Sequence, residues 1–93
     1  MMSQIPIKIE NVKKNLLDRE ILRVAIIAEL DAINLYEQLA SATDNENIRK
    51  VLLEVAREEK THFGEFQALL LKEDAEQTEE LEKGRREVEG ITG

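Results

Sequence analysis

The stretch Ile48–Leu70 reads IRKVLLEVAREEKTHFGEFQALL, and its spacing of apolar residues decides the fold. Apolar side chains recur every three or four positions, which predicts an α-helix with one apolar face. The residues of this face are Ile48, Leu52, Val55, Ala56, Phe63, Phe66 and Leu70, with Val51 and Leu69 on its flank. Glu59 and His62 interrupt the face, and His62 is the only histidine of the chain. A buried charge is costly unless it is paired or binds a metal, so this Glu-x-x-His pair marks a candidate site.

A second helical pattern precedes this one and is interrupted in the same way, by Glu29. Its apolar residues are Leu22, Ala25, Ile26, Ala32, Ile33, Tyr36, Leu39 and Ala40. At about 100° per residue, Leu22 and Tyr36 fall within roughly 20° of Glu29. The pattern therefore predicts that Glu29 lies at the centre of a buried helix face.

Polar breaks divide the chain into three helices within one domain. Asp18 and Asp74 are suitable N-caps, and Thr43 followed by Glu46 has the spacing of a capping box. The break between the first two helices is short, which predicts an antiparallel hairpin. The third segment is highly charged, with few apolar residues, and we expect its end from Glu89 onward to fray. The expected elements of this single domain (1–93) are a lead-in over residues 1–17, with Ile5-Pro6-Ile7 extended, and helices over 18–42, 45–72 and 75–88.

Composition excludes several classes of function. The net charge of −7 argues against nucleic acids and anionic membrane surfaces as partners. The absence of cysteine excludes disulfides, thiol catalysis and four-cysteine iron sites. No apolar run is long enough to span a membrane, and no signal peptide is recognisable, so cytoplasmic residence is expected.

The apolar stripes predict self-association. A two-helix hairpin leaves one side of its apolar seam open to water, and a second hairpin from another copy would close it as a four-helix bundle. Di-iron sites in such bundles use four carboxylates and two imidazoles. One chain supplies half of that set from Glu29, Glu59 and His62. The sequence therefore predicts an all-α homo-oligomer with a metal site between two copies.

Less specific interpretations of the same residues remain open. A lone Glu-x-x-His is common in acidic helices, and the three side chains could form a buried polar network that only fixes helix register. Tyr36 is either a core residue or a neighbour of a ligand carboxylate. Glu58 and Asp31 are expected to be solvated.

The chain resembles the encapsulated ferritins in two segments, Ala28–Gln38 (AELDAINLYEQ) and Ala56–His62 (AREEKTH). It looks most like the ferritin-like domain that is fused to archaeal encapsulin shell proteins. The resemblance implies a half-ferritin that oxidises iron(II) with dioxygen at a di-iron centre shared by two subunits. It implies that Glu29, Glu59 and His62 are the iron ligands and that Tyr36 is the site tyrosine. It also implies a ring, typically of ten subunits, that stores iron inside a cytoplasmic encapsulin nanocompartment.

The chain departs from some members of that family. Those members carry further acids at the positions of Ala28 and Asp31 and a tryptophan at Leu35. Here Ala28 cannot bind a metal and Asp31 is shorter than glutamate, which argues against a secondary metal-entry site. No shell-targeting peptide is recognisable after Val88, as expected if the chain is the domain of a shell fusion. Two alternative functions remain: a rubrerythrin-like peroxidase, which would need a separate electron donor, and a non-catalytic oligomerisation module.

Overall fold

The structure is a computed structural model that describes residues 16–93. It contains three helices and, within this range, no strand: α1 (Leu17–Ala42), α2 (Glu46–Glu73) and α3 (Ala75–Thr92). The predicted all-α fold is therefore confirmed. The extended conformation expected for Ile5-Pro6-Ile7 lies outside the described residues, and the helix already begins at Leu17, the last residue of the expected lead-in.

The first two helices form the predicted antiparallel hairpin. Midway along it, Lys60 Nζ of α2 lies 2.9 Å from Glu37 Oε2 of α1. At the closed end, Arg49 donates hydrogen bonds to the carbonyl oxygens of Ala40, at 3.0 Å, and of Thr43. The last carbonyls of a helix have no partner within it, so Arg49 satisfies groups that would otherwise face water or remain unpaired.

The expected capping box at Thr43 is wrong. The N-cap of α2 is Asn45, whose side chain accepts a hydrogen bond from the Ile48 N–H at 3.0 Å. Thr43 is the C-cap of α1, and its hydroxyl accepts a bond from the Asn45 N–H at 3.1 Å. An N-cap must directly precede the first helical residue with an extended backbone, and Asn45 meets that condition. Asp18 is likewise not the cap of α1; it lies in the first turn, where its charge favours the helix dipole.

A single residue, Asp74, joins α2 to α3 at a tightly bonded corner. Its Oδ1 accepts a hydrogen bond from the Gln77 N–H at 3.0 Å, which confirms it as the N-cap of α3. Its Oδ2 accepts a bond from Arg23 Nη2 of α1 at 2.9 Å, and Arg19 Nε donates to the Glu73 carbonyl at 2.8 Å. The Gln77 amide, and next to it Arg23, hold the pKa of the Asp74 carboxyl below its ordinary value. The corner thus fixes where α3 points.

Helix α3 projects from the hairpin as an arm. The molecule measures 47 × 43 × 19 Å, and none of the residues of α3 is buried. The expected end at Val88 is wrong, because the helix continues to Thr92. Its last turn is held by the Gly93 N–H, which donates to the Glu89 carbonyl at 2.9 Å, and by Arg85, which pairs with Glu82 and Glu89.

Few apolar side chains are buried in one copy of the chain. Among the described residues only Ala40, Ala56 and Leu70 form a fully buried apolar core, while Val51 is 64% exposed. This agrees with the expected open seam. Asp31 is only 7% exposed, so the expectation that it is solvated is wrong, whereas Glu58 is exposed as expected. No helix among residues 16–93 combines the length and apolar character needed to cross a membrane.

Candidate metal centre

The hairpin brings Glu29 of α1 together with Glu59 and His62 of α2. Each offers one ligand atom, and the three atoms lie within 4.8 Å of one another. His62 Nδ1 is 3.5 Å from Glu59 Oε2 and 3.8 Å from Glu29 Oε2. Residues three apart on a helix share a face, which explains the Glu59–His62 contact, and the antiparallel pairing of the helices supplies Glu29.

Glu29 is the unusual member of this cluster. Its side chain is 16% exposed, and its Oε2 atom is buried with no hydrogen-bond partner in the part of the chain that the structure describes. The 3.8 Å separation from His62 Nδ1 is too long for a hydrogen bond. Buried polar atoms are normally paired, so this atom lacks, among residues 16–93, the kind of partner that such atoms usually have.

The cluster opens onto the uncovered face of the hairpin. The side chain of His62 is 46% exposed, and on the same face of α2, about three turns before it and two turns after it, Val51 and Leu69 are 64% and 50% exposed. On α1 the same side of the hairpin carries Ile21 and Leu39, 48% and 44% exposed. A ligand set that borders an exposed apolar surface is suited to completion by another copy of the chain.

Tyr36 lies two turns along α1 from Glu29, about 10 Å by helix rise, and is half-buried. Its neighbour Glu37 pairs with Lys60, the neighbour of Glu59. Because Glu29 already lies level with Glu59 and His62, the separation of Tyr36 from Glu29 places the Tyr36 backbone about two turns from the cluster, nearer the closed end of the hairpin. The sequence analysis did not predict the Glu37–Lys60 pair. Which residues of the two helices lie opposite each other depends on the geometry of their connection, and that geometry cannot be obtained from the positions of opposite charges alone.

The donor chemistry fits a transition metal. Carboxylate and imidazole groups together suit iron, manganese and zinc, and the unpaired Glu29 Oε2 is a free acceptor in the cluster. Within residues 16–93 the cluster contains two carboxylates and one imidazole, too few to surround a pair of metal ions. Glu58, next to Glu59, is exposed and lies outside the cluster.

Comparison with known proteins points to one family. The sequence pattern of the rubrerythrin family matches residues 20–90. A ferritin-like–encapsulin shell fusion protein of Pyrococcus furiosus is 66% identical over 74 residues, which are 80% of this chain and 21% of that protein. The encapsulin nanocompartment cargo protein EncC of Myxococcus xanthus is 46% identical over 56 residues, 60% of this chain and 43% of the relative. The chain thus spans about a fifth of the first relative and under half of the second.

A solved structure extends the match to the whole fold. The crystal structure of the encapsulated ferritin domain from Pyrococcus furiosus superposes with a TM-score of 0.85 at 54% sequence identity. The match covers 100% of this chain and 95% of that one. Proteins of this ferritin-like superfamily typically bind iron. The chain therefore belongs to the rubrerythrin family and, among its ferritin-like members, to the encapsulated ferritins.

Proposed function

We propose that the chain is a ferroxidase, which oxidises iron(II) to iron(III) with dioxygen at a di-iron centre between two copies of the chain. The observation that carries this proposal is the convergence of Glu29, Glu59 and His62 with a buried, unpaired carboxylate oxygen. Tyr36 serves as the tyrosine beside the site. Membership of the encapsulated ferritins supports the same chemistry.

Two copies are required by the ligand count. Bundle-type di-iron sites use four carboxylates and two imidazoles, and a pair of chains provides that number. The exposed apolar residues around His62 supply the surface through which the copies meet. Closing this surface would also remove water from the site, which strengthens the attraction between carboxylates and iron ions.

The residues divide the work of the reaction. Iron(II) is the substrate: two ions each give one electron to one dioxygen molecule, which takes up two protons and leaves as hydrogen peroxide. Glu29 and Glu59 hold the cations with negative charge, which favours the higher charge of iron(III). His62, which lies beside both carboxylates, would supply a nitrogen ligand to the same cations.

The relatives suggest where this activity takes place. One is named as a fusion to an encapsulin shell and another as an encapsulin nanocompartment cargo protein. We extend this to the present chain and propose that it works within a cytoplasmic encapsulin compartment. Its dimers assemble into a ring of ten subunits. Because an open ring cannot enclose iron(III), the shell holds it.

Substitution of the ligands tests the proposal. Glu59→Ala and His62→Ala should each slow iron(II) oxidation at least about 100-fold, since even the groups that orient metal ligands contribute 10–100-fold. Glu58→Ala removes an exposed carboxylate one position away and should leave the rate unchanged. If either ligand variant oxidises iron(II) at the wild-type rate, the assignment is wrong.

The match to the rubrerythrin family favours a second candidate, a peroxidase on the same metal site. These 93 residues contain no cysteine and so no four-cysteine iron site to deliver electrons, which means that the electrons would have to come from a separate donor. Comparison of iron(II) oxidation rates with dioxygen and with hydrogen peroxide separates the two. Faster turnover with dioxygen supports the ferroxidase.

A further inference from the structure

The side of α1 opposite its contact with α2 is more buried than the surface of a hairpin should be. We call this the outer side of α1 and define it by four residues at helical spacing: Glu20, Val24, Ile27 and Asp31. At about 100° per residue these four fall within roughly 60° of one another. Asp31 is 7% exposed and the other three are half-buried. Asn34 and Gln38, which continue the same line towards the closed end of the hairpin, are exposed. The burial therefore ends between Asp31 and Asn34.

Neither α2 nor α3 is placed to cover Asp31. On α1, Asp31 lies half a turn round from Ala40, which is 1% exposed, and about 160° from Glu29, which meets α2 at the candidate metal centre. Helix α3 leaves the hairpin at Asp74, which Arg23 holds, and Asp31 lies about 12 Å beyond Arg23 along α1. These exposures are those of a single copy of the chain, so a second copy does not account for them. Within residues 16–93, neither of the other helices explains the burial of Asp31.

The segment before α1, residues 1–15, has a sequence suited to covering this side. Isoleucine alternates with other residues at Ile5, Ile7 and Ile9, a spacing that places three apolar side chains on one side of an extended chain. Pro6 disfavours a helical backbone at Ile5. The pattern therefore predicts an extended segment with one apolar side, and not a continuation of α1 towards the N-terminus.

This segment is also long enough to fold back along α1. Ile9 lies seven residues before Leu16, a distance that an extended chain spans with about 23 Å. Asp31 lies about 22 Å along α1 from Leu16. An extended chain separates Ile5 from Ile9 by about 13 Å, and the helix rise separates Val24 from Asp31 by about 10 Å. The isoleucines thus match the buried part of the outer side in both reach and length.

Charge favours the same contact. The segment carries three lysines (Lys8, Lys13 and Lys14) against one acid, Glu10, whereas the outer side of α1 carries two acids, Glu20 and Asp31. Burial of a carboxylate is costly unless opposite charges or hydrogen-bond donors lie close to it. A basic segment with an apolar side supplies both the cover and the charge that this side of the helix requires.

We propose that residues 1–15 fold back over the outer side of α1 as a strap, with Ile5, Ile7 and Ile9 packed along the line from Val24 to Asp31. The strap belongs to the same chain as the helix that it covers, so the contact does not depend on association. It lies behind the turn of α1 that carries Glu29, on the opposite side from the candidate metal centre. The contact is therefore independent of metal binding.

Thiol labelling tests the strap, because the chain contains no cysteine and one introduced cysteine is then its only thiol. The reporter is Val24→Cys in the full chain in metal chelator, and its rate of reaction with a maleimide is followed by mass spectrometry. Ile7→Glu in the same protein should speed up labelling at least about tenfold, because it places a charge in the apolar contact. Lys8→Gln is the matched control: it also lowers the net charge by one, but it changes the other side of the extended segment and should leave the rate unchanged.

Two further measurements separate the strap from other causes. Gln38→Cys lies beyond the strap, so its labelling should be equally fast with and without Ile7→Glu. If Ile7→Glu disturbs the whole fold, the milder Ile9→Ala should still speed up labelling of Val24→Cys. Labelling of Val24→Cys should also be independent of protein concentration, because the cover belongs to the same chain.

The proposal is overturned if Ile7→Glu and Ile9→Ala both leave the labelling rate of Val24→Cys unchanged, or if Lys8→Gln raises it as much as Ile7→Glu does. It is also overturned if dilution alone raises the rate, since a second copy would then be the cover. None of these results depends on iron, so failure of the strap is distinguishable from failure of the ferroxidase proposal.

Discussion

Replacement of Glu29 by methionine should stabilise the metal-free protein. The Glu29 side chain is 16% exposed and its Oε2 atom is buried without a hydrogen-bond partner, a situation that costs about 1–3 kcal/mol. Methionine has a similar length and no charge to bury. The free energy of unfolding of Glu29→Met should therefore rise by about 1–3 kcal/mol, with an increase in Tm of roughly 4–8 °C for each kcal/mol in a domain of this size.

The assay is thermal unfolding followed by circular dichroism at one fixed protein concentration, because association also shifts Tm. In chelator, Glu29→Met should melt above the wild type, while the exposed control Glu58→Met should melt with it. With anaerobic iron(II) the order should reverse, because a ligand at about 1,000 times its Kd stabilises the native state by about 4.1 kcal/mol and the variant has lost a ligand. A Glu29→Met variant that is less stable than the wild type in chelator would refute this reasoning and favour a structural polar network instead.

Three further results are expected. Because the pKa of Asp74 is lowered in the folded state, the charged carboxylate stabilises the capped corner at pH values above the ordinary carboxyl pKa, and this stability is lost as pH falls below about 4. Hydrogen exchange of the α3 amides should become faster over that pH range, and Asp74→Asn should remove this pH dependence. Arg49→Ala removes two carbonyl contacts at the closed end of the hairpin and should lower the free energy of unfolding by about 1–2 kcal/mol in urea titration, whereas Arg57→Ala, which breaks only an exposed pair, should not change it. Tyr36→Phe should leave folding intact but weaken iron(II) binding by about tenfold in calorimetry if its hydroxyl contacts a ligand carboxylate; unchanged affinity would make it a core residue.

The sequence was sufficient for the hairpin and the cluster because helical periodicity alone fixes which side chains share a face. Glu59 and His62 are three residues apart on one helix, and Glu29 centres the apolar stripe of the other, so a short connection was enough to bring them together. The exposed apolar seam followed from the same patterns, since two stripes cannot cover each other completely in one hairpin.

Helical periodicity could not predict the hydrogen bonds of long side chains at the helix ends, or which of two neighbouring polar residues caps a helix. Arg49 and Arg19 satisfy carbonyl groups at helix ends through contacts that are set by the folded geometry. Thr43 and Asn45 are both good capping residues with an extended backbone, and only the start of α2 at Glu46 assigns the N-cap to Asn45. The extra turn of α3 is held by hydrogen bonds and ion pairs near Glu89 that polar composition alone did not indicate.

The shared site is tested most directly by anaerobic titration with iron(II). The mass of the protein is measured before loading, after loading and after exposure to air. If two copies share a di-iron centre, iron(II) binding should saturate near one iron ion per chain, in a species that contains an even number of chains. The bound iron should then be oxidised in air. Glu59→Ala should show no saturable binding in the same titration. Saturation of a species with the mass of a single chain, or no saturable iron binding by the wild type, would contradict a di-iron centre formed between two copies.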